Sequence, residues 1–386
     1  MRVSRWAVLS LAVAALPALA AEPLKIGMIA SFSGPFADYG KEMEAGIKAF
    51  MKLNGDKVAG RKVEVIFRDT TGPLPDVAKR HAQELVVREK VDFLAGFGLT
   101  PEALAVAEIA TQAKKPMIVM NAATSVITAK SPYVARVSMT LAQETAPLGT
   151  WAARNGIKRV YTLVADYGPG IDSETAFKKS FTAAGGQVVD SIRTPLRGPE
   201  FAPFLQRIKD ARPEAVFVFL PAGEQGIAFM KGFVERGLGE AGIKAIATGD
   251  VTDDHVIDAM GDAALGMITS SHYSAAHDSP ENKAFLEAYR EVSGTLGRAN
   301  FMAVAAYDGM AAIYDVATKL GGNIDADKAM ALLKGWKRQS PRGPISIDPD
   351  TRDIVQTVYI RRVEKRDGHY YNVEFEQFPA VKDPAR

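Results

Sequence analysis

The sequence predicts an α/β protein built as two doubly wound lobes. Three observations carry that prediction. Short apolar runs that read as strands are followed, one after another, by stretches with helical spacing. That series closes near residue 140 and then begins again. The chain has 386 residues, which at roughly 100–200 residues per domain makes two domains of ordinary size.

The first series opens with Leu24–Ala30 (LKIGMIA), a short apolar strand. Tyr39–Leu53 follows with Met43, Ile47, Phe50 and Met51 at helical spacing, and Asn54-Gly55 ends it. Lys62–Asp69 alternates like a strand, and Asp76–Glu89 reads as a helix. Val91–Phe97 is a strand, Pro101–Ala113 a helix and Pro116–Met120 a strand. Such βαβ repetition implies a parallel sheet with helices on both faces. The second series runs through helix Gln143–Asn155, strand Arg159–Ala165, helix Ser173–Ala184 and strand Gln187–Thr194. Helix Phe201–Asp210, strand Ala215–Leu220, helix Gly226–Gly237 and strand Ile243–Thr248 continue it. A short helix near Val256–Met260 precedes strand Met267–His272, and a helical block covers Pro280–Lys334. Val355–Val363 and Tyr370–Phe378 flank Asp367-Gly368, a hairpin turn signal. No low-complexity linker separates the halves, which suits lobes joined by several short crossings.

Composition narrows the function. Hydrophobic residues at 47% and charged residues at 24% describe a globular chain, neither disordered nor fibrous. There is no cysteine, which excludes disulfide scaffolds, thiolate zinc sites, iron–sulfur clusters and cysteine nucleophiles. The five histidines (His81, His255, His272, His277, His369) offer no pair at metal-ligand spacing. A net charge of +2 argues against binding nucleic acid through bulk electrostatics. Residues 1–20 carry Arg2 and Arg5, the apolar run Ala7–Ala15 and then Pro17-Ala18-Leu19-Ala20, the three parts of a cleaved secretory signal. Its removal leaves 45 basic against 45 acidic residues. No other stretch approaches ~20 uninterrupted apolar residues, so the expectation is an exported, periplasmic chain.

Doubly wound sheets bind ligands beyond the carboxyl ends of their strands, where loops lead into helix N-termini. In the first half those loops are Ser31–Gly40, with a turn at Gly34-Pro35 and Tyr39 near the helix start; Gly98-Leu99-Thr100-Pro101-Glu102; and Asn121-Ala122-Ala123-Thr124-Ser125. Thr100 is placed as an N-cap with Pro101 as first helical residue, an end that attracts a carboxylate. The second half offers Asp166-Tyr167-Gly168-Pro169-Gly170, Pro221-Ala222-Gly223-Glu224 and Gly249-Asp250-Val251-Thr252-Asp253-Asp254. Asp253 or Asp254 is expected to cap the next short helix. Asp250, nearest the strand end, is the candidate to face a ligand.

Enzyme motifs fare poorly. There is no Gly-x-Ser-x-Gly elbow and no phosphate-loop Gly-Lys-Ser/Thr. Gly168-Pro169-Gly170 lacks dinucleotide spacing, and Asp348–Asp353 lacks the central glycine and terminal glutamate of a calcium loop. The reading is a non-enzyme without cofactor or metal.

Phe32–Gly40 (FSGPFADYG), Ala122-Ala123-Thr124 and Asp166-Tyr167-Gly168 resemble, in order and spacing, the marker loops of the Leu/Ile/Val-binding family. These are type I periplasmic solute-binding proteins of ABC importers. The resemblance spans essentially the whole chain after the leader. It implies two Rossmann-like lobes with the ligand between them, joined by three crossings expected near Val137–Met139, Thr269–Tyr273 and Ile347–Val355. Lobe 1 is then 21–138 plus 272–350, and lobe 2 is 139–271 plus 351–386. The resemblance also implies roles. Leu99, Thr100, Ala122 and Thr124 hold a ligand carboxylate. Tyr39 and Tyr167 close over the ligand, with Pro221 nearby. Asp250 meets its amine or a hydroxyl. Two departures stand out: the acid is aspartate where the family has glutamate, and Pro221 falls where amino-acid binders have a tyrosine. The expected ligand is a small carboxylate, first a branched-chain or other hydrophobic amino acid, second an aromatic carboxylate of benzoate or hydroxycinnamate type. The expected partners are the permease and ATPase of an ABC importer, with the chain acting as a monomer. A ligand sensor for a signalling partner is the competing role.

Overall fold

The computed structural model describes residues 21–386, so the expected signal at 1–20 lies outside the described residues. The first sheet contains β1 (Leu24–Ala30), β2 (Lys57–Val58), β3 (Arg61–Asp69), β4 (Phe93–Gly96), β5 (Met117–Val119) and β6 (Val134–Arg136), in the order β2-β3-β1-β4-β5-β6. Apart from the β2–β3 pair, neighbours are parallel. Helices α1 (Ala37–Asn54), α2 (Pro75–Val87) and α3 (Thr100–Ala113) make the crossovers. The apolar positions expected on α1, Met43, Ile47 and Phe50, are buried as the amphipathic spacing requires.

After β6 the chain enters α4 (Leu141–Arg154), where Thr140 Oγ1 accepts the Gln143 N–H at 3.1 Å as an N-cap. The second sheet then begins with β7 (Arg159–Ala165), β8 (Gln187–Thr194), β9 (Ala215–Phe219), β10 (Lys244–Thr248) and β11 (Ile268–Ser271). Between them lie α5 (Gly168–Ala183), α6 (Ala202–Ala211), α7 (Glu224–Glu235) and α8 (Ile257–Met260). The expected helical block is three helices, α9 (Pro280–Val292), α10 (Phe301–Lys319) and α11 (Ala326–Leu333). Both α9 and α10 pack on α1, so the chain has returned to the first lobe. The approach is close: a Cβ on Gly46 of α1 would stand 2.0 Å from the Ala303 carbonyl oxygen of α10.

Four strands complete the second sheet: β12 (Lys337–Ser340), β13 (Gly343–Ile347), β14 (Ile354–Arg366) and β15 (His369–Val381). Its order is β12-β13-β14-β11-β10-β9-β7-β8, with β15 paired to β14. The Asp367-Gly368 hairpin forms as predicted, with φ of 50° and 84° at the two turn residues. The expected boundary needs one correction. Residues 337–347 are expected in the first lobe, yet β12 hydrogen-bonds to β13, and β13 to β14 of the second sheet. The turn that follows does return to the first sheet. Arg136 N–H donates to the Arg352 carbonyl, and the Arg352 guanidinium reaches the carbonyls of Val134, Thr128 and Ser131. A short polar hairpin carries no period that tells which sheet it will join, and strands of three to five residues such as β6, β12 and β13 escape pattern reading.

Candidate functional site

The first-lobe loops meet at the carboxyl ends of β1, β4 and β5. Helix α3 begins one residue earlier than expected: Thr100 is its first helical residue and Leu99 its N-cap. The cap comes from the other direction, because the Glu102 carboxylate accepts the Leu99 N–H at 3.0 Å. Glu102 is itself held by Thr70 and by Ser31 Oγ at 3.3 Å, and burial raises its pKa to about 7. This leaves the Thr100 hydroxyl free of capping duty. It lies 2.9 Å from Thr124 Oγ1, so two hydroxyls stand side by side at the start of a 14-residue helix, where the first N–H groups have no intrahelical acceptor.

The loop carrying Thr124 is fixed from below by Arg136, which is wholly buried. Its guanidinium donates to the carbonyls of Ala122 (3.1 Å), Thr124 (2.8 Å) and Met139 (3.1 Å), and its Nε lies 2.9 Å from Asp353. Ala122 has both backbone groups engaged, since its N–H donates to Phe97 O. It therefore has only its methyl group and close backbone approach to offer a ligand.

The second lobe supplies the opposite wall. Tyr167 is the N-cap residue of α5, and its ring stacks on Phe219 with centroids 6.0 Å apart. Asp250 follows β10 by two residues, is 6% exposed and accepts from Thr248 Oγ1 at 3.0 Å. Burial, then the neighbouring Glu144, raises its pKa to about 7. Gly249 is required by space: a Cβ there would come within 2.5 Å of Ser271 and 2.6 Å of the Arg361 guanidinium.

The lobes close on each other at these residues. The Tyr39 ring packs where a Cβ on Gly98 would be 3.2 Å away, and its hydroxyl lies 3.5 Å from the Ala222 carbonyl, next to the buried Pro221. Burial, then Tyr167 and Asp250, pushes the Tyr39 hydroxyl well above its usual range. Across the gap, a Cβ on Gly168 would approach Thr124 Oγ1 to 2.5 Å. Thr100 and Thr124 thus touch one another, Thr124 meets the head of α5, and the buried Tyr39 and Asp250 neighbour the half-buried Tyr167. Leu99 is buried, with its N–H already given to Glu102.

The expected capping role of Asp253 or Asp254 is not found. Asp253 accepts from the His255 N–H at 2.9 Å and from Asn300 Nδ2 at 3.0 Å, while Asp254 accepts from Ala275 N and Asn372 Nδ2. Both are drawn into tertiary contacts because α8 has only four residues and starts later, after Val256.

Sequence reading missed the charges beneath the site. Glu144 of α4 accepts from the His272 N–H at 3.1 Å and pairs with the His272 ring, with Arg361 and Arg342 nearby. Burial raises Glu144 to about 7 and, with the two arginines, holds His272 well below its normal value. Glu144, Arg136 and Arg361 come from ordinary helical or strand positions and Arg342 from the β12–β13 turn, where a charged residue reads as a solvated face. Among the described residues no cluster of metal-ligating side chains occurs, and no helix is long and apolar enough to cross a membrane.

Two lobes meet at a cluster of hydroxyls, aromatic rings and one acid, the arrangement of a protein that captures a solute between its lobes. The sequence matches the periplasmic binding protein family model over residues 23–368. The chain belongs to that family and is a solute-binding protein of an ABC transporter. It is 48% identical over 385 residues, 99% of each chain, to the Leu/Ile/Val-binding protein homolog 6 of Brucella melitensis. An ABC-transporter solute-binding protein of Rhodopseudomonas palustris BisB5, solved with 3,4-dihydroxybenzoic acid, is 55% identical with a TM-score of 0.91, over 94% of this chain and 99% of that one. A second, from R. palustris HaA2 with p-hydroxybenzoic acid, is 47% identical with a TM-score of 0.92 over the same shares.

Proposed function

We propose that the captured solute is an aromatic carboxylate of the hydroxybenzoate kind, delivered to the permease and ATPase of an importer. The observation that carries this reading is the pair of R. palustris relatives, similar along the whole of this chain and both solved with hydroxylated benzoic acids. The geometry supports it. Thr100 and Thr124 at the head of α3 suit a carboxylate. Tyr39 and the Tyr167–Phe219 stack suit a ring. Asp250 is a short buried acid that can accept from a ring hydroxyl. Leu99, Ala122 and Pro221 add apolar walls. The chain acts as an exported monomer whose leader is removed, and it catalyses no reaction.

A hydrophobic amino acid, the ligand class favoured by sequence reading alone, is the second reading. The name of the Brucella relative supports it, and Asp250 would then face an ammonium. Calorimetry on protein unfolded and refolded to strip retained ligand separates the two, with 4-hydroxybenzoate, benzoate, a hydroxycinnamate, leucine and phenylalanine as probes. Heat from the benzoates alone is expected. Tight leucine or phenylalanine binding with silent benzoates overturns the proposal.

A further inference from the structure

We propose that His255 is a positioning residue that latches the two lobes shut through Glu42 and Asp38, and so sets the affinity of solute capture. His255 belongs to the loop after β10, in the second lobe. Its Nδ1 lies 3.0 Å from Glu42 Oε1 and its Nε2 3.5 Å from Asp38 Oδ2, both on α1 of the first lobe. The Glu42 contact has ion-pair distance without the alignment of a hydrogen bond.

Three features make this a latch and not a passing surface pair. First, Glu42 is wholly buried, and its other oxygen is taken by the Tyr289 hydroxyl of α9 at 2.7 Å. Among the described residues Oε1 has no hydrogen-bond donor, so the cation it faces comes from the opposite lobe. A buried carboxylate is costly unless paired, which gives the closed arrangement a specific gain. Second, the contact has company at the same edge. Asn300, which caps α10, donates to Asp253, and Tyr39 OH reaches Ala222 O. Third, the 250–255 loop carries both groups. Asp250 faces the ligand site and His255 closes the rim, so seating a solute and engaging the latch move one short segment. A cavity of about 130 Å³ lies at this rim, lined in part by Asp38, Tyr39, Asp253 and His255.

The groups facing His255 are mostly acidic. Asp38 and Glu42 come from α1, Asp253 from its own loop, and Glu224 from the head of α7 lines the same cavity. Behind Glu42 stands the Tyr289 hydroxyl, and against the ring runs the Gly297 backbone. The nearby Arg298 is engaged with Asp258 and the Tyr370 carbonyl. Glu42, ahead of Asp253 and Asp38, raises the His255 pKa from 6.5 to about 9 against the opposing effect of burial. A raised histidine contributes fully below its free value and loses its contribution as pH climbs through its paired value. The latch is therefore complete at pH 6.5, fades towards about pH 9 and is absent above it.

The inference rests on capture of a solute between the lobes and not on which acid is captured. The test is calorimetry with 4-hydroxybenzoate and with leucine from pH 6.5 to 10, on the wild type, His255→Gln and Glu42→Gln. Ligand-free melting shows that each variant is folded, and Glu42→Gln keeps an acceptor for Tyr289. The wild type should lose affinity steadily between pH 6.5 and about 9. Each variant should bind about tenfold more weakly at pH 6.5, as expected for losing one charged contact, and should lack that part of the slope. The same behaviour is expected with whichever probe binds. Wild-type affinity and an unaltered pH profile in His255→Gln overturn the latch. Silence of 4-hydroxybenzoate beside a leucine signal overturns the proposed ligand and leaves the latch to be read on leucine.

Discussion

The two halves of the site are built from different chemistry. The first-lobe half presents neutral groups to the gap between the lobes, the hydroxyls of Thr100 and Thr124 and the head of α3, with its charges, Arg136 and Glu102, holding the loops from behind. The second-lobe half presents an ionisable group, Asp250, with Glu144, Arg361 and Arg342 beneath it. Under the function proposed above, the difference divides the tasks: a carboxylate would meet fixed neutral donors that need no change of protonation, while the far end of the ligand would meet a group whose charge depends on what it faces.

The largest test of this contrast removes the first-lobe support. Arg136→Ala orphans three carbonyls and the Asp353 carboxylate, so stability should fall by about 3–5 kcal/mol in urea denaturation. Unchanged stability would mean that the loop is held by something else. Next, Thr100→Ala should weaken carboxylate binding by about ten- to a hundredfold, ~1.5–3 kcal/mol, with Thr100→Ser mild. Equal binding of the ligand's methyl ester would show that the paired hydroxyls do not read an anion.

Gly168→Ala tests whether the halves must touch. The new methyl would stand 2.5 Å from Thr124 Oγ1 across the gap. Overpacking of that kind costs about 1–3 kcal/mol, and here it should appear in ligand affinity while ligand-free melting stays near wild type. A melting loss without an affinity loss would place the clash within one lobe. Asp250→Asn is smaller for an aryl acid, roughly 1 kcal/mol, because asparagine still accepts from a ring hydroxyl. Against an ammonium the same change should cost about 3–5 kcal/mol, so isothermal titration of this variant sharpens the ligand class as well.

The smallest effect is on pH dependence. Burial raises Glu144 from 4.5 to about 7, so the fold holds that proton more tightly than the unfolded chain does. Its contribution is greatest below pH 4.5 and declines as pH rises to about 7. Glu144→Gln should make the fall in melting temperature across that window shallower. A steeper fall would mean that Glu144 is held ionised by Arg361 and Arg342.

Much of this was legible in the chain itself. The alternation of apolar runs and amphipathic stretches determined the parallel strands of both sheets, because a strand buried on both faces and a helix buried on one leave different spacings; the antiparallel edge of the second sheet does not follow from it. Marker loops at 32–40, 122–124 and 166–168 placed Tyr39, Thr124 and Tyr167, and the structure brings those residues to one closure. Turn chemistry determined the Asp367-Gly368 hairpin, since both residues adopt positive φ. The tertiary structure alone decided the rest. Thr100 is first in its helix and not its cap, because a buried glutamate three residues from Leu99 does the capping. Strands β12 and β13 join the second sheet through β14, a choice made by strand pairing across a turn and not by any local period. Glu144, Arg136, Arg361 and His255 carry no local signature, for a charge on a helix or strand looks the same in sequence whether it meets water or a buried partner. Only packing sets which, because the energy of a charge depends on its surroundings more than on its neighbours along the chain.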